Sequence, residues 1–89
     1  MRFDPEVTYF KPRGVPLAQL DEVVLAVEEL EALRLADLKN LDQTEAAAKM
    51  KISQSTFNRI IALAHRKIAE ALVLGMAIKI EGGEYKKIK

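Results

Sequence analysis

Hydrophobic and polar positions along this 89-residue chain change rhythm several times, and each change marks an element. "EVTYFKP", Glu6 to Pro12, mixes β-branched and aromatic residues and is closed by proline, the signature of a short strand. "PRGVP" is a loop, with Pro16 placed to open a short helix or turn through "LAQLDEV". "VVL" at 23–25 is extended. From about Ala26 the period becomes helical. Leu30, Leu33, Ala36 and Leu38 fall on the apolar side, and the glutamates of the first turn suit the helix macrodipole. Lys39-Asn40 ends this helix, because asparagine tolerates the left-handed cap conformation.

"DQTE" at 42–45 has the spacing of a capping box. Asp42 is set to accept from the Glu45 amide while the Glu45 carboxylate reaches back to the Asp42 amide. The short helix it opens runs through Met50, with Ala46, Ala47 and Met50 inward. Ser53 is the next cap. After it Phe57, Ile60, Ile61, Ala64, Ile68, Ala71, Leu72 and Gly75 recur at three- and four-residue steps. They define one amphipathic helix of about 20 residues, ~30 Å long, stopped by Gly75. "AIKIEGGEYKKI" alternates around Gly82-Gly83. It reads as a hairpin or as a single strand with a basic tail, since the flanking glutamates would face each other in the tightest register. The expected fold is mainly α, three to four helices of winged-helix-like size, with short strands at both termini. It is one domain over 1–89: strand and loop through 25, helical core 26–75, and strand with basic tail 76–89.

Two of these helices and the turn between them meet the demands of a helix-turn-helix that reads DNA. Ala47 is small where the support helix meets the second helix, Ile52 plugs the turn, and Phe57 with Ile60 form a buried pair three apart. The outward positions are then Gln54, Ser55, Asn58 and Arg59, with Thr56 at the edge. Gln54 and Asn58 can pair with adenine N6/N7, and Arg59 with guanine or a phosphate. Ser55 and Thr56 stand with the free amides of a helix N-terminus and suit a phosphate oxygen; the cap Ser53 and Thr44 of the support helix are counted with the DNA-binding residues. Lys51 follows the support helix, where a left-handed backbone favours glycine by roughly 1 kcal/mol. It reads as a strained, solvated turn residue that also sets a cation near the expected DNA backbone. Arg66, with Lys67, could touch phosphate or face solvent late in the long helix.

Composition bounds the alternatives. The chain is 49% hydrophobic and 30% charged, without cysteine or tryptophan, so disulfides and thiolate metal sites are excluded. No apolar run approaches the ~20 residues of a membrane span, and "MRFDPEVTYF" lacks the apolar segment of a signal peptide. A cytoplasmic protein without membrane contact is expected. The net charge of +1 conceals a division: residues 1–41 carry five Lys/Arg and eight Asp/Glu, a net of −3. Residues 42–75 carry five and three, and residues 76–89 four and two, each a net of +2. Such asymmetry turns the second half toward a polyanion.

The motifs "TYFKP", "GVPL", "ELEALRLADL", "QTEAAAKM", "STFNRI" and "RKIAEAL" together resemble a family of small uncharacterised prokaryotic proteins predicted to bind DNA. The likeness runs over nearly the full length, and the second half is also similar to region four of bacterial sigma factors. The resemblance implies a sigma-like helical arrangement, a role in transcription, and recognition positions at Gln54, Ser55, Thr56, Asn58 and Arg59. The family usually has glycine at the place of Lys51, often glycine at Asn58, and a threonine cap where Ala26 stands. Its members often begin with a basic arm; only Arg2 precedes Asp4 here, so no arm contact is expected.

The reading from all this is a sequence-specific regulator that binds double-stranded DNA, as a homodimer. Pairing "EVTYF" with "AIKI", within or between chains, would cover apolar surface. The alternative is an adaptor that uses a sigma-like fold to bind a protein such as RNA polymerase, with little DNA affinity of its own. His65, the one histidine, has no acid on its helical face at ligand spacing and reads as a solvated surface residue. "VEELE" reads as a solvated face. No nucleophile–base set, phosphate loop or carboxylate pair is visible, so neither an enzyme nor a bound metal or cofactor is expected.

Overall fold

The computed structural model describes residues 7–81. The Arg2 arm and the Gly82-Gly83 turn lie outside them. In chain order the elements are β1 (Tyr9–Phe10), a 3-10 turn (Leu17–Gln19), β2 (Glu22–Ala26) and α1 (Val27–Leu33). A π-helical segment (Arg34–Leu38) continues α1, followed by α2 (Gln43–Met50), α3 (Gln54–Leu74) and β3 (Ala77–Glu81). The fold is mainly helical with short strands at each end, as the periodicities indicate. The first strand is shorter than the Glu6–Pro12 expectation.

The three strands form one sheet in the order β1-β3-β2. β1 pairs antiparallel with β3, Tyr9 opposite Lys79 and Phe10 opposite Ile78. β2 pairs parallel with β3, from Glu22 opposite Ala77 to Ala26 opposite Glu81. The expected "EVTYF"–"AIKI" pairing therefore forms within one chain, and unpaired strands give no reason for a second copy. The Tyr9 hydroxyl donates to the Glu22 carboxylate at 2.8 Å, linking the outer strands across the middle one. That hydrogen bond, with smaller contributions from desolvation and the carboxylate charge, raises the Tyr9 pKa above its ordinary 10.0.

Two apolar clusters lie along α3. Near its start Phe57 packs with Ala32, Leu35, Ala46 and Ala47, and Met50, Ile52, Ile60 and Ile61 close around them. Further along, Ala64 packs with Leu25, Val27 and Ile80, flanked by Leu30, Leu33 and Ile78. The buried alanines let helices approach closely; Ala32, Ala46 and Ala64 are each 0% exposed.

Two positions on the expected apolar stripes face water. Leu38 is 77% exposed, because the backbone widens there. The Lys39 amide bonds back to the Arg34 carbonyl at 2.9 Å, five residues earlier, which shifts the helical phase that the sequence period extrapolates. Leu72 is 74% exposed; the inward line ends at Ala71, and Leu72 lies about 100° further round the helix.

The acidic run of α1 is not a solvated face throughout. Glu28 is exposed, but Glu29 is buried. Its carboxylate accepts from the Ala26 amide at 2.9 Å and from Lys67 Nζ at 2.9 and 3.1 Å. Ala26 has no side-chain oxygen, so Glu29 caps the helix from inside. Lys67 is accordingly held against α1 rather than offered to solvent or phosphate. At α2 only half of the capping box forms: Asp42 accepts from the Glu45 amide at 2.8 Å, without the return bond.

Candidate nucleic-acid interface

The turn between α2 and α3 is built by backbone bonds that its residues make possible. The Lys51 amide donates to the Ala48 carbonyl and the Ile52 amide to the Ala47 carbonyl, each at 3.1 Å. With Lys51 at φ 61°, ψ 43°, this is the Schellman termination usually made by glycine, and Ile52 packs down beside the helix it ends. Ser53 is extended, at φ −72°, ψ 158°. It accepts from the Thr56 amide at 3.1 Å, and its hydroxyl donates to Thr56 Oγ1 at 2.9 Å. Ser55 Oγ lies 3.3 Å from Ser53 Oγ.

From this start α3 turns Phe57 into the core and leaves Gln54, Ser55, Asn58 and Arg59 exposed, with Thr56 half-buried at the edge. Asn58 and Arg59 form no hydrogen bond or ion pair among the described residues, so their donors are open. Gln54 is held in place. Its Nε2 donates to Gln43 Oε1 at 3.1 Å, and its Oε1 accepts from Thr44 Oγ1 at 3.3 Å. Gln43 and Gln54 are the first residues of α2 and α3, so the fold joins two helix starts in one polar surface. Gln43 escapes sequence reasoning; its only signal is its place directly after the Asp42 cap.

Lys51 opens onto a cleft of about 410 Å³ lined also by Glu31, Arg34, Lys39 and Lys49. Four cations against one acid give this side of the turn a positive character that the expected site did not include beyond Lys51. Arg34 lies 3.9 Å from Glu31. Arg66 is exposed, but it stands apart from the group: twelve residues past Gln54, it is about 18 Å further along the helix. His65 is half-exposed and paired, its Nε2 2.7 Å from Asp37 Oδ2. The acid comes from the π segment, 28 positions away, where spacing along the histidine's own helix gives no sign of it. No group of three His, Asp or Glu able to hold a metal occurs among the described residues. No helix there is long and apolar enough to cross a membrane.

A family model described as "Protein of unknown function DUF134" matches residues 1–88. Among curated relatives, a UPF0251 protein of Caldanaerobacter subterraneus subsp. tengcongensis is 60% identical over 86 residues, 97% of this chain and 73% of the relative. One of Thermoanaerobacter pseudethanolicus is 58% identical over 86 residues, with the same 97% and 73% coverage. One of Moorella thermoacetica is 58% identical over 85 residues, 96% of this chain but 57% of the longer relative. No solved structure matches.

Proposed function

The chain belongs to the DUF134 family of proteins of unknown function, and from that premise we propose that it is a sequence-specific regulator of transcription that binds double-stranded DNA. The reading rests on one arrangement above all. A short helix, a three-residue turn and a Ser53-capped helix leave Gln54, Ser55, Asn58 and Arg59 in water together. Asn58 and Arg59 carry the paired donors and acceptors that adenine and guanine edges require. Gln54, held by Gln43 and Thr44, keeps one N–H and one lone pair for a base. Ser55 and Thr56 serve a phosphate at the helix start, while Ser53, its hydroxyl donated to Thr56 Oγ1, holds that start in shape, and Lys51 adds a cation beside the turn. Acting on DNA, the protein belongs in the cytoplasm, without a catalytic role.

The test is selection of bound sites from random duplex DNA, followed by Arg59→Ala on the selected site. Arg59→Ala is expected to weaken binding by about 1–3 kcal/mol and to relax one base position. Equal weakening on all sequences would make Arg59 a phosphate contact instead. A selected site whose affinity ignored changes at Gln54, Asn58 and Arg59 together would rule out this face. The second reading, an adaptor to a protein such as RNA polymerase, is favoured by the net charge of only +1. It requires that no duplex binding be detected even at low salt.

A further inference from the structure

The outer face of α3 carries a pattern that the described chain leaves uncovered. Leu63 is 46% exposed, Val73 80% and Leu74 66%; Arg66, Ala69 and Glu70 are exposed between them, and Ala62 just before. Ala62, Arg66, Ala69 and Val73 follow steps of four, three and four, the seam spacing of helices that pair along their length. Arg66 and Glu70 form no ion pair among the described residues. Isolated apolar side chains on a surface are ordinary, but here they flank two opposite charges on one face.

We propose that this face pairs with the same face of a second copy, α3 antiparallel to α3, about a two-fold axis level with residue 68. The charges choose the occupant and the direction. In a parallel pair Arg66 would meet the partner's Arg66, and Glu70 the partner's Glu70. In the antiparallel pair Arg66 meets the partner's Glu70, twice by symmetry, and that match sets the level of the axis. The same register brings Leu63 level with the partner's Val73 and Ala62 level with the partner's Leu74. Apolar residues then meet at both ends of the seam, and Ala62 and Ala69 let the helices come close. Arg66 thereby has a use other than DNA contact.

The register has a second consequence, which bears on the DNA reading above. The middle of the 54–59 segment lies about 11–12 residues, hence about 17 Å, from the level of residue 68. Two copies of that segment then stand about 35 Å apart along the pair, and because the seam spacing continues back through Arg59 and Ser55, those side chains of the two copies face in opposite directions.

The experiment is sedimentation equilibrium of the full chain without DNA, across micromolar concentrations, with circular dichroism of the same samples to verify folding. The unaltered chain is expected to dimerise. Glu70→Arg and Arg66→Glu, each at an exposed position, should weaken association by more than about tenfold, because like charges then oppose each other. The double swap Arg66→Glu with Glu70→Arg should restore it, and Val73→Asp should weaken it again. A chain that stays monomeric throughout, a dimer indifferent to the single changes, or a double swap that fails to rescue would each overturn the proposal. Duplex binding separates the two readings. A dimer that binds no DNA supports the pairing and defeats the DNA reading, whereas a strict monomer that binds DNA does the reverse.

Discussion

Lys51 occupies a left-handed backbone, φ 61°, in which its Cβ crowds the following carbonyl and glycine would not. Lys51→Gly is expected to stabilise the fold by up to about 1 kcal/mol, less whatever freedom glycine restores to the unfolded chain. The measurement is a thermal melt; a lowered midpoint would mean that the lysine side chain contributes to holding the turn. Ala26 presents the complementary case. Its amide is already taken by Glu29, but it offers no oxygen to the first turn of α1. Ala26→Ser completes that exchange and should raise stability by about 0.5–1 kcal/mol in urea unfolding. Caps and turns of this kind are legible in sequence because their partners lie three or four residues away. The Glu29–Lys67 pair spans 38 positions and His65–Asp37 spans 28; no local pattern announces either.

At the level of elements, periodicity located each helix but not where its phase would change. α3 is legible from Phe57 to Ala71, where its 3.6-residue rhythm runs unbroken with Phe57, Ala64 and Ala71 buried, but not at Leu72, which the same rhythm counts as inward. α1 is legible only until the backbone widens at Arg34, after which Leu38 leaves the apolar side. A pair of substitutions measures this difference. Phe57→Ala, at a side chain 1% exposed, should cost about 3–5 kcal/mol by opening a cavity between α1, α2 and α3. Leu38→Ser, at a residue that the sequence rhythm counts as core, should change stability by no more than about 0.5 kcal/mol. A large loss at Leu38 in the same denaturation assay would place it in the core after all. The parallel pairing of β2 with β3 was likewise not legible, since a strand's side-chain alternation does not reveal which neighbour it will choose or in which direction.

For the whole molecule, the acidic first part and basic remainder make the distribution of charge more informative than its sum of +1. Sequence alone marks that division, while folding decides where the cations gather: Arg34, Lys39, Lys49 and Lys51 come from two helices and two turns to share one cleft. If the proposed DNA reading holds, affinity for duplex should fall linearly in log–log terms as salt rises, with a slope of about −0.9 per phosphate neutralised. Titration of a labelled duplex at several salt concentrations measures that slope. Charge reversal at Lys51 should make it shallower, by about one for each phosphate that the protein no longer neutralises. A slope near zero would favour the adaptor.

The middle place of β3 in the sheet has a consequence for how the chain is made. Among the described residues, β1 and β2 both take β3 as their hydrogen-bonded neighbour, yet residues 27–76 must be synthesised before β3 exists. At ordinary rates of translation those roughly 50 residues take about 3–10 s. Through that interval the newborn β2 lacks its hydrogen-bonded neighbour and is a sticky edge beside the ribosome. The last of the described strands to emerge closes both earlier ones at once, so a translational pause before Ala77 would prolong the period in which the nascent chain can aggregate.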